Sequence, residues 1–196
     1  DVPLCLDSNS AETLQAALRV YQGKPLINSV SAEERSLETI LPLVKEYDAA
    51  VIALPMDEKG IPGEAGGRTE LAHKIIERAH TYGISTDNLV FDALAMSVGA
   101  DRWAGVVTLE TIRRLKADFG VNQTLGASNV SFGLPDRPLV NNAFLPMAMA
   151  AGVNCPVVDA EKAREMVLAA DLVLGLDEFA RRYIGAYRQR QAAKAT

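Results

Sequence analysis

An α/β fold is predicted by the regular alternation of two kinds of segment along the 196-residue chain. Short apolar runs rich in β-prone residues are each followed by an amphipathic helical stretch, and this unit occurs six times. The runs are apolar on both faces, which is typical of parallel strands covered by helices. No linker or low-complexity stretch divides the sequence, so residues 1–196 are expected to form a single domain.

Each predicted strand opens one of these units. The strands are expected at 2–7, 25–30, 49–56, 89–94, 123–129 and 155–160. The helices are expected at 11–22, 33–46, 68–82, 106–119, 138–151 and 161–174, with a last one near 177–191. Ser10 is a predicted N-cap, and Gly83, Gly120 and Gly152 follow predicted helix ends. A doubly wound sheet and part of a (β/α)₈ barrel both fit this pattern.

Composition and charge exclude several classes of partner. The net charge of −5 and the pI near 5.1 argue against general binding to nucleic acid or to an anionic membrane. The sequence has neither a long apolar run nor a signal-peptide pattern near its start, so a cytoplasmic location is expected. Cys5 and Cys155 lie in apolar strand runs and are expected to behave as small hydrophobic residues rather than as a disulfide pair.

Polar residues recur where the predicted strands end. They are Asp7, Asn28, Asp57, Asp92, Asn129 and Asp159. Asp57 is expected to be a turn residue and Asp159 a helix cap. The other four lie in or directly after apolar strands, where an unpartnered polar group is costly. In a barrel, groups at strand ends converge on one mouth, so these four predict a site for a polar ligand.

The chemistry of this set suits a ligand edge with alternating amine and amide groups, such as that of a pterin. A carboxylate accepts from an exocyclic amine and a ring N–H together, and a carboxamide both donates and accepts. No metal site is expected, because His73 and His80 are predicted on an outer helix face. Nucleophilic catalysis is disfavoured because no His stands at a strand end to act as base.

The segment GIPGEAGGR at 60–68 predicts a mobile loop over the mouth, and it lacks the Walker pattern. Its Arg68 fits either a helix start or an anchor that folds the loop.

Six segments in order carry a family resemblance. They are LCLDS, LINSV, the loop with GIP and then Arg, FDAL, GASNVSFGLPDRPLVNNAFLPMAMAAG and VVDA. The chain resembles the methyltetrahydrofolate:corrinoid methyltransferases over nearly its whole length. These are pterin-binding (β/α)₈ TIM barrels, related to dihydropteroate synthase and to the folate module of cobalamin-dependent methionine synthase.

The resemblance implies roles for particular residues. Pterin binding falls on Asp7, Asn28 and Asp92, the catalytic contact near the folate N5 on Asn129, and a further folate contact on Arg137. Methyltetrahydrofolate would lie across the mouth, and a corrinoid-carrying partner protein would dock over it. The methyl group would pass between N5 and the cobalt, in a direction that the resemblance leaves open, as part of one-carbon metabolism. A homodimer is also implied.

Three departures from the family pattern matter. Phe132, the expected partner contact, stands where relatives that use the corrinoid/iron–sulfur protein have Gln, whereas methionine-synthase modules have Phe. The Lys positions of dihydropteroate synthase are replaced by Ala93-Leu94 and Asn129-Val130, so that activity is the disfavoured alternative. A (β/α)₈ barrel has about 250 residues, so the chain is expected to lack the first two βα units. A non-catalytic pterin-binding fragment is therefore a further alternative.

Overall fold

A computed structural model describes residues 2–194 as six strands and seven α-helices. The strands are β1 (Cys5–Asp7), β2 (Leu26–Ser31), β3 (Ala50–Leu54), β4 (Leu89–Asp92), β5 (Asn122–Gly126) and β6 (Cys155–Val157). The helices are α1 (Ala11–Val20), α2 (Glu34–Glu46), α3 (Ala65–Thr81), α4 (Ala104–Phe119), α5 (Arg137–Ala151), α6 (Ala160–Val173) and α7 (Arg181–Lys194). Short 3₁₀ turns occupy Thr86–Asn88, Ala127–Ser131 and Glu178–Ala180.

The strand order decides between the two predicted architectures. All six strands belong to one parallel sheet, in the order β1-β2-β3-β4-β5-β6. A doubly wound sheet reverses its strand order at a switch point, whereas a (β/α) barrel keeps the order of the sequence. The described part of the chain is therefore a partial barrel, which confirms the predicted fold class.

The two faces of the sheet differ in how they are covered. Residues on the outer face, such as Ile27, Val51 and Phe91, are fully buried beneath the helices. Side chains alternate along a strand, so their neighbours project to the concave inner face. There Asp7 is exposed and Val157 remains 60% accessible. In the middle of the sheet the inner face is also buried, with Ile52 5% and Thr124 2% exposed, whereas it is exposed at the edge strands β1 and β6.

The two cysteines, which the sequence places in apolar strand runs, lie on the edge strands β1 and β6 of the sheet. Cys5 and Cys155 are exposed, because alternation places them on the inner face with Asp7 and Val157. Partial desolvation, and then the charges of Asp7 and Cys155, raise the pKa of Cys5. The two thiols lie on opposite edge strands, so their electrostatic coupling reflects the curl of the sheet.

The predicted helix ends agree closely with the structure. The Ser10 side chain accepts a hydrogen bond from the Thr13 N–H at 3.3 Å and caps α1, as predicted. Gly120, with φ of 63°, and Gly152, with φ of 144°, are the C-caps of α4 and α5. Within residues 2–194, none of the helices has the length and apolar character needed to span a membrane.

Gly152→Ala is expected to destabilise the protein by about 1–3 kcal/mol, since overpacking and a positive φ both act against a side chain. An added Cβ would lie 2.9 Å from Lys116 Cδ and 3.1 Å from Gln123 Nε2. The control is Gly185→Ala inside α7, where the Cβ would have no neighbour within 4 Å, and it should be neutral or stabilising. Urea unfolding of both variants measures the difference, and equal midpoints would contradict this account.

Candidate functional site

Asp7 and Asn28 are the first pair at the carboxyl edge of the sheet. Asp7 ends β1, and its register partner across the ladder is Asn28 of β2. Both residues line a cavity of about 810 Å³, which Ser8 and Ser31 also line. Neither side chain hydrogen-bonds to another residue within 2–194, so the carboxylate and the carboxamide are both available to a ligand.

Asp92 ends β4 and is the most desolvated of the predicted carboxylates. Its Oδ1 accepts a hydrogen bond from the Leu94 N–H at 2.8 Å. Burial raises the pKa of Asp92, while the N–H groups of Leu94 and Gly126 and the positive charge of Arg68 act in the opposite direction. The Asp92 carboxylate is thus hydrogen-bonded by the main-chain N–H groups of Leu94 and Gly126 on the inner face of the sheet.

Thr124 was not singled out from the sequence. It pairs with Asp92 in the ladder, and its Oγ1 is buried without a hydrogen-bond partner. Strand alternation is the signal that could have found it, because Thr124 lies on the same face as Asp92. A ligand held by Asp92 would also be within the neighbourhood of this hydroxyl.

Asn129 lies just beyond β5, in the 3₁₀ turn Ala127–Ser131. Its side chain lies close to Gly126, where an added Cβ would come to 3.0 Å from Nδ2, so a larger residue there would displace the amide. The residue is exposed, and within residues 2–194 its amide has no hydrogen-bond partner. The turn therefore presents an unsatisfied carboxamide just after Gly126, whose own N–H donates to the Asp92 carboxylate.

Arg137 begins α5 and is bound to the same turn. Its Nε donates to Ser131 Oγ at 3.1 Å and its Nη2 donates to the Ser128 carbonyl at 2.8 Å. The guanidinium carbon lies 5.8 Å from the centroid of the Phe132 ring. The structure thus places Arg137 as a clamp on the turn that carries Asn129, and its predicted folate contact stays a prediction.

Phe132 lies on the rim of the mouth and is 70% exposed. Together with Asn129, Met96 and Arg68 it lines a second cavity of about 510 Å³. Two contacts join this turn to the segment after β4, since the Val98 N–H donates to the Val130 carbonyl at 2.9 Å and Ser97 Oγ donates to the Phe132 carbonyl. The rim beside Asn129 therefore exposes the apolar side chains of Phe132 and Met96, and two hydrogen bonds fix it to the segment after β4.

Arg68 is the anchor, not merely a helix-start residue. It lies in the first turn of α3, is only 2% exposed, and donates from Nε to the Pro62 carbonyl at 2.9 Å. Its Nη1 donates to the carbonyls of Ala93 at 2.7 Å and Leu94 at 2.8 Å. The loop that follows β3 is thereby fastened to the segment that follows β4.

Asp57 and Asp159 have the local structural roles that were predicted, a turn residue and a helix cap. Asp57 Oδ1 accepts from the Lys59 N–H at 2.9 Å within a turn, and Asp159 accepts from the Lys162 N–H at 3.3 Å as the cap of α6. His73 is largely exposed on α3, and His80 contacts Thr86 Oγ1. Within residues 2–194, no group of three or more His, Cys, Asp and Glu residues is arranged to hold a metal ion.

The fold and this set of strand-end groups define the class of protein. The family model of pterin binding enzymes matches residues 1–159, so the chain belongs to the pterin-binding enzymes. The methylcorrinoid:tetrahydrofolate methyltransferase of Eubacterium limosum is 32% identical over 197 residues, an alignment that spans 96% of this chain and 72% of that protein. Methionine synthase of Mycobacterium tuberculosis is 34% identical over 174 residues, which cover 82% of this chain and 15% of the synthase.

Solved structures agree with the barrel architecture. Dihydropteroate synthase of Coxiella burnetii superposes with a TM-score of 0.68 at 19% identity, covering 89% of this chain and 68% of that one. The enzyme of Vibrio fischeri gives a TM-score of 0.69 at 20% identity with the same coverage. At this identity the likeness shows a shared fold and nothing of the reaction.

Asp92→Asn is expected to gain stability relative to the parent as the pH rises. Burial raises the pKa of Asp92 above its ordinary value of 3.8, so ionisation costs free energy in the folded state. The parent therefore loses stability as the pH rises from 3.8 towards the raised pKa, whereas the amide does not ionise.

Urea unfolding of both proteins just below pH 3.8 and again near neutral pH measures this difference. A variant that becomes less stable relative to the parent at the higher pH would contradict the burial of a costly charge.

Proposed function

We propose that the protein is a methyltransferase that moves the N5-methyl group between methyltetrahydrofolate and a cobalt corrinoid carried on a partner protein. The observation that carries this proposal is the set of polar side chains at the carboxyl edge of one sheet: Asp7, Asn28 and Asn129, which have no hydrogen-bond partner in residues 2–194, and the desolvated Asp92. The likeness to the methylcorrinoid:tetrahydrofolate methyltransferase, over 96% of the chain, supports the same reaction class.

Asp7, Asn28 and Asp92 would bind the pterin. Carboxylates accept hydrogen bonds from the exocyclic amine and the ring N–H groups, and the Asn28 amide can meet both donors and acceptors of the ring. The desolvated position of Asp92 strengthens its charge-assisted bonds relative to those made in water. These three residues would therefore determine where the methyl-bearing nitrogen lies.

Asn129 would contact the folate N5. The corrinoid supplies a cobalt centre that can accept or give a methyl group when the partner is docked. As the bond between N5 and the methyl carbon changes, electron density on N5 changes, and a carboxamide placed there can strengthen its hydrogen bond. Arg137 supports this role by clamping the turn, besides any direct folate contact.

The partner would dock on the rim around Phe132. This ring is exposed and lines one cavity together with Asn129 and the exposed side chain of Met96. Aromatic and Met side chains are enriched in the cores of protein interfaces. We further propose that the protein acts in the cytoplasm as a homodimer, on the family resemblance.

Dihydropteroate synthase activity is the second candidate, favoured only by the shared fold. Its phosphate-binding Lys residues are not found at the matching positions, where this chain has Ala93-Leu94 and Asn129-Val130. A non-catalytic pterin-binding role is separated from the proposed reaction by the turnover measurements below.

Asn129→Ala is expected to lower methyl-transfer turnover on the order of a hundredfold, because it removes a group that acts as charge develops. Its affinity for methyltetrahydrofolate should change little. Single-turnover methyl transfer to cobalamin, followed by the corrinoid absorbance, gives the rate. Asn88→Ala, before β4 at the opposite edge of the sheet, is the matched control. Turnover equal to that of the parent would remove Asn129 from the mechanism.

Asp7→Ala is expected to weaken methyltetrahydrofolate binding about tenfold or more, since it removes a charged hydrogen-bond acceptor. Isothermal titration measures the dissociation constant, with the exposed Asp118→Ala on α4 as control. Unchanged affinity in Asp7→Ala would place the pterin elsewhere. A parent protein that binds folate but transfers no methyl group would support the non-catalytic alternative.

A further inference from the structure

The burial of Arg68 needs a physical explanation. Only 2% of this cationic side chain is exposed, and within residues 2–194 it has no carboxylate within the 4.0 Å of an ion pair. Desolvation lowers the pKa of Arg68, while the charge of Asp92 raises it. Burying a charge without an ion-pair partner is costly unless its hydrogen bonds are satisfied. The bonds that satisfy it therefore indicate what the residue does.

Those bonds all go to the main chain, and they join two separate segments. Nε donates to Pro62 in the loop after β3, and Nη1 donates to Ala93 and Leu94 in the segment after β4. Gly67 brings the start of α3 against the same loop, since an added Cβ there would lie 2.9 Å from Pro62 Cβ. Arg68 thus fixes the loop and the β4 segment relative to each other.

Leu94 connects Arg68 to Asp92. It adopts φ of 60°, a left-handed conformation that is unfavourable for a residue with a side chain. In this conformation its carbonyl accepts from Arg68 at 2.8 Å and its N–H donates to Asp92 Oδ1 at 2.8 Å. Leu94 is therefore held by the Arg68 guanidinium through its carbonyl, and it holds the Asp92 carboxylate through its N–H.

We infer that Arg68 is a positioning residue for Asp92, which acts through Leu94 and ties the loop at 57–64 to the pterin site. This inference rests on the proposed function and deepens it, because it names a residue that orients the proposed pterin-binding carboxylate without touching the ligand. Arg is required for the role. Its planar fork reaches three carbonyls in two segments at once, whereas the ammonium of Lys is a single point charge.

The first test is made without ligand, by hydrogen exchange read by mass spectrometry on the parent, Arg68→Lys and Arg68→Gln. Both variants should exchange at least severalfold faster at the loop 57–64 and at the Leu94 amide. Arg190→Lys on α7, where Arg190 pairs with Glu165 of α6 at 2.9 Å, is the matched control and should leave both segments unchanged. Unchanged exchange at Leu94 in both Arg68 variants would overturn the inference.

The second test is a double-mutant cycle on methyltetrahydrofolate affinity, measured by isothermal titration. Arg68→Lys should weaken binding about tenfold in the parent, as expected for the loss of charge-assisted bonds. The same change should have little effect in an Asp92→Asn background, because the carboxylate that it orients is then absent. Additive losses in the cycle would show that Arg68 only stabilises the fold, and would overturn the inference.

The two tests separate this inference from the proposed function. Absence of binding by the folded parent would contradict the proposed function, and hydrogen exchange at Leu94 would then decide the structural link alone. Binding by the parent together with equal affinity in Arg68→Lys would leave the proposed function standing and would overturn the positioning role.

Discussion

Parallel pairing of six consecutive strands is the constraint on which the rest of the structure depends. It sends every carboxyl end to one edge of the sheet, so residues far apart in sequence, such as Asp7 and Asp92, come to the same side. It also requires a helix between successive strands, and those helices cover only the outer face. The polar strand-end residues therefore gather at the carboxyl edge.

The strand-end site contains two kinds of side chain: some have no hydrogen-bond partner, and others are hydrogen-bonded to the loops around them. The side chains of Asp7, Asn28 and Asn129 have no hydrogen-bond partner in the described chain, which is expected of residues that bind a ligand. Arg68 donates three hydrogen bonds to main-chain carbonyls, and Arg137 donates one to a carbonyl and one to a hydroxyl. These bonds hold the segments after β3, β4 and β5. Such support is what keeps a binding constellation in a fixed geometry.

The loops after β3, β4 and β5 are joined one to the next. Arg68 links the first two, and the bonds of Val98 to Val130 and of Ser97 to Phe132 link the second to the third. A change in the loop 57–64 is thereby connected through packed and hydrogen-bonded neighbours to the position of Asp92 and Asn129. The burial of Asp92 opposes the charge of its carboxylate, and the N–H groups of Leu94 and Gly126 and the charge of Arg68 offset part of that cost.

The sequence by itself determined the element order, the helix caps and the polar strand ends, because periodicity, N-cap chemistry and alternation are local properties. It also identified Asp57 as a turn residue and Asp159 as a cap, which depend on neighbours only two or three residues away.

Only the tertiary structure decided the strand order, the exposure of Cys5 and Cys155, the anchoring role of Arg68 and the orphan hydroxyl of Thr124. Each depends on contacts between segments that are distant in sequence, and the curvature of the sheet that brings them together has no local signal.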